Sequence, residues 1–219
     1  MSSYGIQVLA HLFGILAIIL LLVWLLHYRE GIDYDSENGL RVFNVHPLMM
    51  FMGFIFLSGE AILSFQTIPS QRQTKKFFHM TLHLISIILG IVGLSATFKF
   101  HNMMGFPNVY SLHSWIGIGT FCLFGLQWLV GFVTFMFPRA ADRTRERVVP
   151  WHVAGGRALL FMAVCAAETG LMEKYGFLRV KSNLQPHQRE SHLINFTGLA
   201  ILLFAVFVDL SVSIRRYSL

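Results

Sequence analysis

Residues 110–117 read YSLHSWIG and place a histidine, His113, at the beginning of a stretch that stays apolar through residue 137. A stretch of about 20 apolar residues is long enough to cross a lipid bilayer as a helix. An ionisable ring inside such a stretch is costly and needs a partner or a function. The combination of an apolar stretch and a histidine at its beginning recurs in the chain, and it decides the predicted fold.

The composition is typical of a membrane protein. Of the 219 residues, 55% are hydrophobic and only 13% are charged, and the mean hydropathy is +0.60. Soluble domains carry about 25% charged residues. The apolar stretches long enough to span a bilayer cover residues 6–26, 47–65, 77–98, 112–137, 153–171 and 193–214. The links between them are short, so residues 1–219 are predicted to form a single transmembrane domain.

The spans are predicted to be helices. Every backbone polar group inside a bilayer needs an internal partner, which leaves only helices and closed barrels. Strands of a barrel alternate in polarity and are about half as long as these stretches. The first stretch has neither a basic segment before it nor a small-residue cleavage site after it, so we expect a retained helix. The predicted fold class is an all-α membrane protein with six transmembrane helices.

The distribution of basic residues predicts the orientation. The densest basic segment is RAADRTRER, at residues 139–147, in the link between the fourth and fifth stretches. Short basic links stay in the cytosol. With six spans, this places both termini in the cytosol.

Four histidines share the setting of His113. They begin consecutive apolar stretches, the second to the fifth, and are His46, His79, His113 and His152. We expect each of them in the first turn of its helix. Pro47 and Pro150 agree with this expectation, because the first helical position needs no backbone N–H.

The topology predicts how these histidines pair. Successive helices run in opposite directions, so His46 and His113 lie level near the non-cytoplasmic face. His79 and His152 lie level near the cytoplasmic face. Two facing imidazoles on different helices suit the two axial positions of a haem iron. With both positions filled, the iron has no open site for oxygen and is suited to electron transfer.

Other interpretations fit the same pattern. Interfacial histidines of a six-helix transporter or structural membrane protein without haem would have this spacing. A zinc transporter would need its ligands to meet near the middle of the membrane, and an electron carrier could use quinol as its donor. His83 follows His79 by four residues on the same helical face and competes with it as a ligand. His83 could instead hydrogen-bond near the porphyrin.

Several motifs together resemble the cytochrome b561 family of transmembrane ascorbate-dependent oxidoreductases, and the plant-type members look most similar. The resemblance covers the chain from the first span to the sixth. It rests on FNVHPLMM (43–50), GEA (59–61), KKFFH (75–79), YSLHSW (110–115), GFVTF (131–135), PWH (150–152) and GLMEK (170–174). It implies that the four central helices form a bundle that holds two b-type haems. His46 and His113 would ligate the non-cytoplasmic haem, and His79 and His152 the cytoplasmic haem.

The resemblance also implies the reaction and the donor site. Family members take electrons from cytosolic ascorbate and pass them to monodehydroascorbate or a ferric chelate on the far side. The residues that match the ascorbate-binding positions are Arg72, Lys76 and Arg145, and Arg72 stands where the family often has lysine. A ring of cations attracts the ascorbate monoanion and favours it electrostatically.

On the far side, the resemblance implies two further groups of contacts. The residues expected to touch the haem are Asn108, Val109, Tyr110, Ser111 and Glu173. The residues expected to touch the electron acceptor are Lys99, Phe100 and His101.

Partners and location follow from the same interpretation. The haems carry the redox chemistry, so no catalytic acid–base pair or nucleophile is expected. We expect a multi-pass protein of the lipid bilayer, in the vacuolar or another endomembrane first and in the plasma membrane second. No nucleic-acid partner is expected, and the chain could form a homodimer.

Two charged residues inside the predicted spans call for partners. At about 1.5 Å of rise per residue, Arg157 and Glu60 reach a similar depth from opposite sides. Charges inside a membrane are usually paired. We therefore expect either an ion pair between Glu60 and Arg157 or a contact of Arg157 with a haem propionate.

Overall fold

The computed structural model of the chain describes residues 3–217, with side chains described through residue 214. Within residues 3–217 it contains six helices that are long and apolar enough to cross a membrane, and no strand. The helices are α1 (Ser3–Tyr28), α2 (Gly39–Thr67), α3 (Arg72–Met104), α4 (Leu112–Phe135), α5 (Asp142–Lys181) and α6 (Arg189–Tyr217). The predicted all-α fold with six transmembrane helices is confirmed.

Several helices extend beyond the apolar stretches that predicted them. Helix α2 begins at Gly39, where the Asn38 side chain accepts a hydrogen bond of 2.9 Å from the Leu40 amide. Helix α5 begins at Asp142, well before the apolar stretch that starts at residue 153. Apolarity marks the bilayer, whereas capping groups in the aqueous links mark the end of a helix. Helix α4 begins as predicted, because Ser111 and Ser114 form a capping box there.

The longer helices correct two expectations. Only His113 lies in the first turn of its helix, and the expectation is wrong for His46, His79 and His152. Pro47 and Pro150 lie inside α2 and α5, not at their first positions. The histidines therefore begin the apolar part of each helix, and the preceding turns project from it.

Helix α2 contains a π-helical segment, Met50–Leu57, that follows Pro47 closely. Proline lacks the N–H that would bond to the carbonyl four residues earlier, and π turns are frequent at such interruptions. The segment lies between His46 and Ala61. It thus changes the direction in which the two halves of α2 present their side chains to the neighbouring helices.

The six helices associate in three antiparallel pairs. Helix α1 packs along α6, α2 along α3, and α4 along α5, and α6 also contacts α2 and α5. The core between α1, α2 and α6 includes Trp24, Leu63, Phe204 and Val208, each at most 2% exposed. This core holds the outer pair of helices against the four that carry the histidines.

A glycine permits the close approach of α2 to α6, and replacing it tests this packing. A Cβ on Gly59 would lie 2.4 Å from Cζ of the fully buried Phe204 ring. We expect Gly59→Ala to lower the free energy of unfolding by about 1–3 kcal/mol, as overpacking does. Thermal unfolding in detergent, followed by size-exclusion chromatography, measures this. The control is Gly119→Ala, because a Cβ there meets nothing within 4 Å. Equal stability of the two variants would contradict the packing.

Candidate functional site

The structure brings the four histidines together in two pairs. The ring centroids of His46 and His113 are 6.0 Å apart, with an interplanar angle of 84°. Those of His79 and His152 are 6.2 Å apart, with an angle of 66°. Each pair joins a residue of the α2–α3 hairpin to a residue of the α4–α5 hairpin. Because the chain reverses between successive helices, the two pairs lie toward opposite ends of the bundle.

Backbone carbonyls of neighbouring helices orient three of the four imidazoles. The Nδ1 atom donates a hydrogen bond in each case: His46 to the Gly93 carbonyl at 3.1 Å, His79 to the Ala61 carbonyl at 2.8 Å, and His113 to the Ala166 carbonyl at 2.8 Å. A carbonyl oxygen only accepts hydrogen bonds, so Nδ1 carries the proton in each ring. The Nε2 lone pair is then left to bind a metal, as in other metal-ligating histidines.

The α4–α5 hairpin interlocks around its two histidines through glycines. A Cβ on Gly131 of α4 would lie 2.9 Å from Cε1 of His152 on α5. A Cβ on Gly170 of α5 would lie 2.7 Å from Cε1 of His113 on α4. For His152, no hydrogen bond of Nδ1 is found among residues 3–217, so packing against Gly131 and Phe135 positions this ring.

A cavity of about 820 Å³ opens at the His79–His152 pair. Its volume is within the range of small-molecule and cofactor sites, about 300–1,000 Å³. Its wall is largely aromatic beside the two histidines and includes Phe54, Phe65, Phe124, Trp128, Phe132 and Phe135. A flat, apolar macrocycle suits such a wall.

His83 lies in the wall of the same cavity. Its ring is 4.5 Å from that of His79, and its buried Nδ1 has no hydrogen-bond partner among the described residues. A buried polar atom without a partner is uncommon and indicates a group that a ligand completes. His83 therefore fits a hydrogen bond to a group bound in the cavity, and its predicted place near a porphyrin stays a prediction.

Cations line the wall of this cavity together with the histidines. Arg72, Lys76 and Arg145, the predicted ascorbate contacts, all line the cavity, and so does Arg139. Lys76 interacts electrostatically with the three arginines, and Arg145 forms an ion pair with Asp142. The sequence analysis missed Arg139 as a site residue. The sequence shows that Arg139 belongs to the basic link 139–147. Only the fold shows that this arginine lines the cavity.

A smaller cavity of about 400 Å³ lies beside His113. Tyr110, Ser111 and Glu173, three of the predicted haem contacts, line it together with His113. The Tyr110 hydroxyl donates to Glu173 at 3.3 Å. Partial burial and then the negative charge of Glu173 raise the pKa of Tyr110, which keeps the phenol protonated at neutral pH.

The other predicted far-side residues occupy different surroundings. The cavity beside His113 does not include Asn108 or Val109 among its lining residues in the described part of the chain. Asn108 instead bonds the His101 ring at 2.9 Å. Lys99 donates to the Tyr34 carbonyl at 2.7 Å, which ties it to the link between α1 and α2.

Phe100 lies in the interior rather than at the surface. It is 7% exposed, and its ring is 5.0 Å from Phe43, which in turn is 6.1 Å from the His46 ring. Phe100 thus links the surface pair of His101 and Asn108 to the histidines. Its predicted direct contact with an acceptor stays a prediction.

The predicted ion pair between Glu60 and Arg157 is wrong. Glu60 bonds to His11 at 2.9 Å, and Arg157 bonds to Asp209 of α6 through two nitrogens, at 2.5 and 2.9 Å. Similar depth along two helices does not determine which helices are neighbours. Helix α6 packs against α5, so its carboxylate reaches Arg157.

The donor set of both pairs fits a haem. Metal–imidazole nitrogen bonds of about 2 Å on each side of one ion place the two ring centroids roughly 6 Å apart, which matches both observed separations. The proton positions leave Nε2 unprotonated in His46, His79 and His113. The larger cavity provides an aromatic wall of suitable size. The fold and the paired histidines thus define a transmembrane bundle whose donor set is compatible with haem.

Comparison with known proteins places this bundle in a family. The family profile for eukaryotic cytochrome b561 matches residues 45–178. "Ascorbate-specific transmembrane electron transporter 2" of Zea mays is 44% identical over 91% of this chain and 84% of its own length. "Transmembrane ascorbate ferrireductase 1" of Arabidopsis thaliana is 41% identical over 97% and 88%. "Transmembrane ascorbate-dependent reductase CYB561" of Bos taurus is 38% identical over 91% and 78%.

The chain belongs to the cytochrome b561 family. The resemblance inferred from the motifs is therefore confirmed. Membership implies haem b as the cofactor, and the six helices make the chain an integral multi-pass membrane protein.

The glycines that pack against the histidines provide a test of the site. We expect Gly131→Ala to displace His152 and Gly170→Ala to displace His113, because a Cβ at either position overlaps the ring. Each variant should bind less haem than the parent protein, since displacement of one candidate ligand lowers the affinity of that site. A pyridine haemochrome assay on purified protein measures the haem content. Gly125→Ala is the control, because a Cβ there meets nothing within 4 Å; unchanged haem in both test variants would contradict the packing.

Proposed function

We propose that this chain transfers electrons from ascorbate, across the membrane, to an oxidised acceptor through two b-type haems. The observation that carries this proposal is the presence of two histidine pairs toward opposite ends of one bundle, each with centroids about 6 Å apart. The names of the relatives, which include ascorbate-specific electron transporters and an ascorbate ferrireductase, support ascorbate as the donor.

Each histidine pair holds one haem in this proposal. His46 and His113 would hold one, and His79 and His152 the other. When bound, haem would supply the one-electron chemistry, and the paired imidazoles are the groups that would hold it. The chain's own contribution is orientation, because the Nδ1 bonds to backbone carbonyls fix the tautomer and direction of three of the four rings.

The cationic wall of the larger cavity is the proposed donor site. Arg72, Lys76, Arg139 and Arg145 gather positive charge next to the His79–His152 pair. Asp142 and Glu146 also line the cavity, but the cations outnumber them. Ascorbate is a monoanion at neutral pH, and a cleft of net positive charge raises the local concentration of such an anion. His79 and His152 would hold the haem that takes one electron from ascorbate, and the proton that the donor also loses would be released to water. The product is monodehydroascorbate.

The acceptor site lies at the opposite end of the bundle in this proposal. The cavity beside His113 and the neighbouring surface pair of His101 and Asn108 would receive monodehydroascorbate or a ferric chelate. Lys99 adds a positive charge at this end, and Phe100 packs between the surface and the histidines. The printed name of the Arabidopsis relative supports a ferric acceptor.

The basic links support a proposal for the sides of the membrane. Residues 139–147 adjoin the donor cavity, and short basic links stay cytosolic, so ascorbate would bind from the cytosol. Both termini then lie in the cytosol as well. We propose the vacuolar or another endomembrane as the location, with the plasma membrane second. We also propose a homodimer as an oligomeric form of the chain.

Neutralising the cations of the donor cavity tests the proposed electron donor. We expect Lys76→Gln and Arg145→Gln each to raise the KM for ascorbate about tenfold, because each removes a charge that attracts the anion. The measurement is the rate of haem reduction after stopped-flow mixing with ascorbate, at constant ionic strength. Dithionite should still reduce the haems fully in both variants.

The matched control for this experiment is Lys75→Gln. Lys75 precedes Lys76 in the chain but bonds the Phe65 carbonyl at 3.1 Å and is not among the residues that line the cavity. Its KM should stay within about twofold of the parent protein. Equal effects at Lys75 and Lys76 would show a general surface charge effect and would contradict a specific donor site.

A further inference from the structure

A bidentate ion pair joins α5 to α6 inside the membrane-spanning part of the bundle. Arg157 donates to Asp209 through Nε at 2.5 Å and through Nη2 at 2.9 Å. Nη2 also donates to the Ser213 hydroxyl at 2.9 Å. The side chains of Arg157 and Asp209 are 30% and 19% exposed. The pair is thus fixed in geometry and largely removed from surrounding solvent or lipid.

Arg157 also forms part of the wall of the larger cavity. It lies five residues after His152 on α5, and Val212 of α6 lines the cavity beside it. Asp209 is not among the lining residues in the described part of the chain. The positive member of the pair therefore lines the cavity, whereas the negative member lies behind it.

The pair is an expensive way to join two helices. Two charges inside a membrane lose much of their hydration, and apolar side chains of similar size often give equal or greater stability. The charges of Arg157 and Asp209 therefore indicate a role besides holding α5 against α6. The role must involve the cavity, because Arg157 reaches it.

We infer that Arg157, partly neutralised by Asp209, sets the reduction equilibrium of the redox site at His79 and His152. This inference rests on the proposed function. Reduction of that site adds one electron, which ascorbate supplies, and no bond forms or breaks. A cation in the wall stabilises the added negative charge, and Asp209 behind it limits the effect. The ion pair thus adjusts how readily this site accepts an electron from the donor.

The two members of the pair have opposite predicted effects. Arginine stays protonated in proteins, so Asp209→Asn leaves a full positive charge in the wall. We expect it to shift the reduction equilibrium of the His79–His152 site toward the reduced form by roughly threefold to thirtyfold, the effect of a unit charge at an effective dielectric constant of about 20. Arg157→Gln removes the positive charge from the wall and should shift the equilibrium in the opposite direction.

The experiment is a spectroscopic redox titration of the purified full-length protein in lipid nanodiscs. The His46–His113 site serves as the internal reference, since it lies toward the other end of the bundle. The logarithm of its reduction equilibrium constant should change by less than a third of the change at the His79–His152 site. Ser213→Ala removes the hydroxyl contact without changing charge and should leave both equilibria within about twofold of the parent. The double variant Arg157→Gln/Asp209→Asn should fall between the two single variants.

Two outcomes would overturn the inference. One is a shift of the same sign in Asp209→Asn and Arg157→Gln, and the other is no shift in Asp209→Asn with both haems bound. Arg157→Lys is the variant to use if the others do not fold, because it keeps the charge. The reduction equilibrium should then stay within about threefold of the parent. A larger shift would also overturn the inference. If the parent protein binds no haem, the proposed function fails instead, so the two failures are distinguishable.

Discussion

The hydrogen bond from a histidine Nδ1 to a backbone carbonyl on the neighbouring helix is the interaction on which the site depends. In α2 and α3 it is reciprocal: His46 of α2 donates to Gly93 of α3, and His79 of α3 donates to Ala61 of α2. Each bond directs Nε2 toward the other hairpin. The packing of one helix on its partner therefore orients two candidate ligands at once, through backbone carbonyls rather than through other side chains.

The α4–α5 hairpin reaches a related result by a partly different route. His113 donates to the Ala166 carbonyl, whereas His152 is positioned by contact with Gly131. The two hairpins face each other across the bundle, so a histidine from one meets a histidine from the other at each end. Helices α1 and α6 pack outside this arrangement. Asp209 of α6 pairs with Arg157 of α5, a helix that forms part of the cavity wall. The donor cavity, its cations and the Arg157–Asp209 pair all depend on this arrangement of hairpins.

Apolar length and helix alternation allowed the six helices and the pairing of histidines to be predicted, and the resemblance of the motifs allowed the family to be predicted. The sequence did not allow the helix ends to be predicted, since Asn38 and residues near Asp142 lie outside the apolar stretches. Nor did it predict the partner of Arg157. Similar depth pointed to Glu60, and only the contact between α5 and α6 selects Asp209. Arg139 was missed because charge in a link does not reveal which side chains turn inward.

The central claim is that His46, His79, His113 and His152 hold two redox centres. The most direct test is low-temperature electron paramagnetic resonance of the oxidised protein, combined with the visible spectrum after reduction. The account predicts two low-spin ferric haem signals and a b-type α band, with one signal lost in His79→Ala and both retained in His83→Ala. A folded but colourless protein, as expected of a six-helix transporter without haem, would contradict it, and so would loss of a signal in His83→Ala but not in His79→Ala.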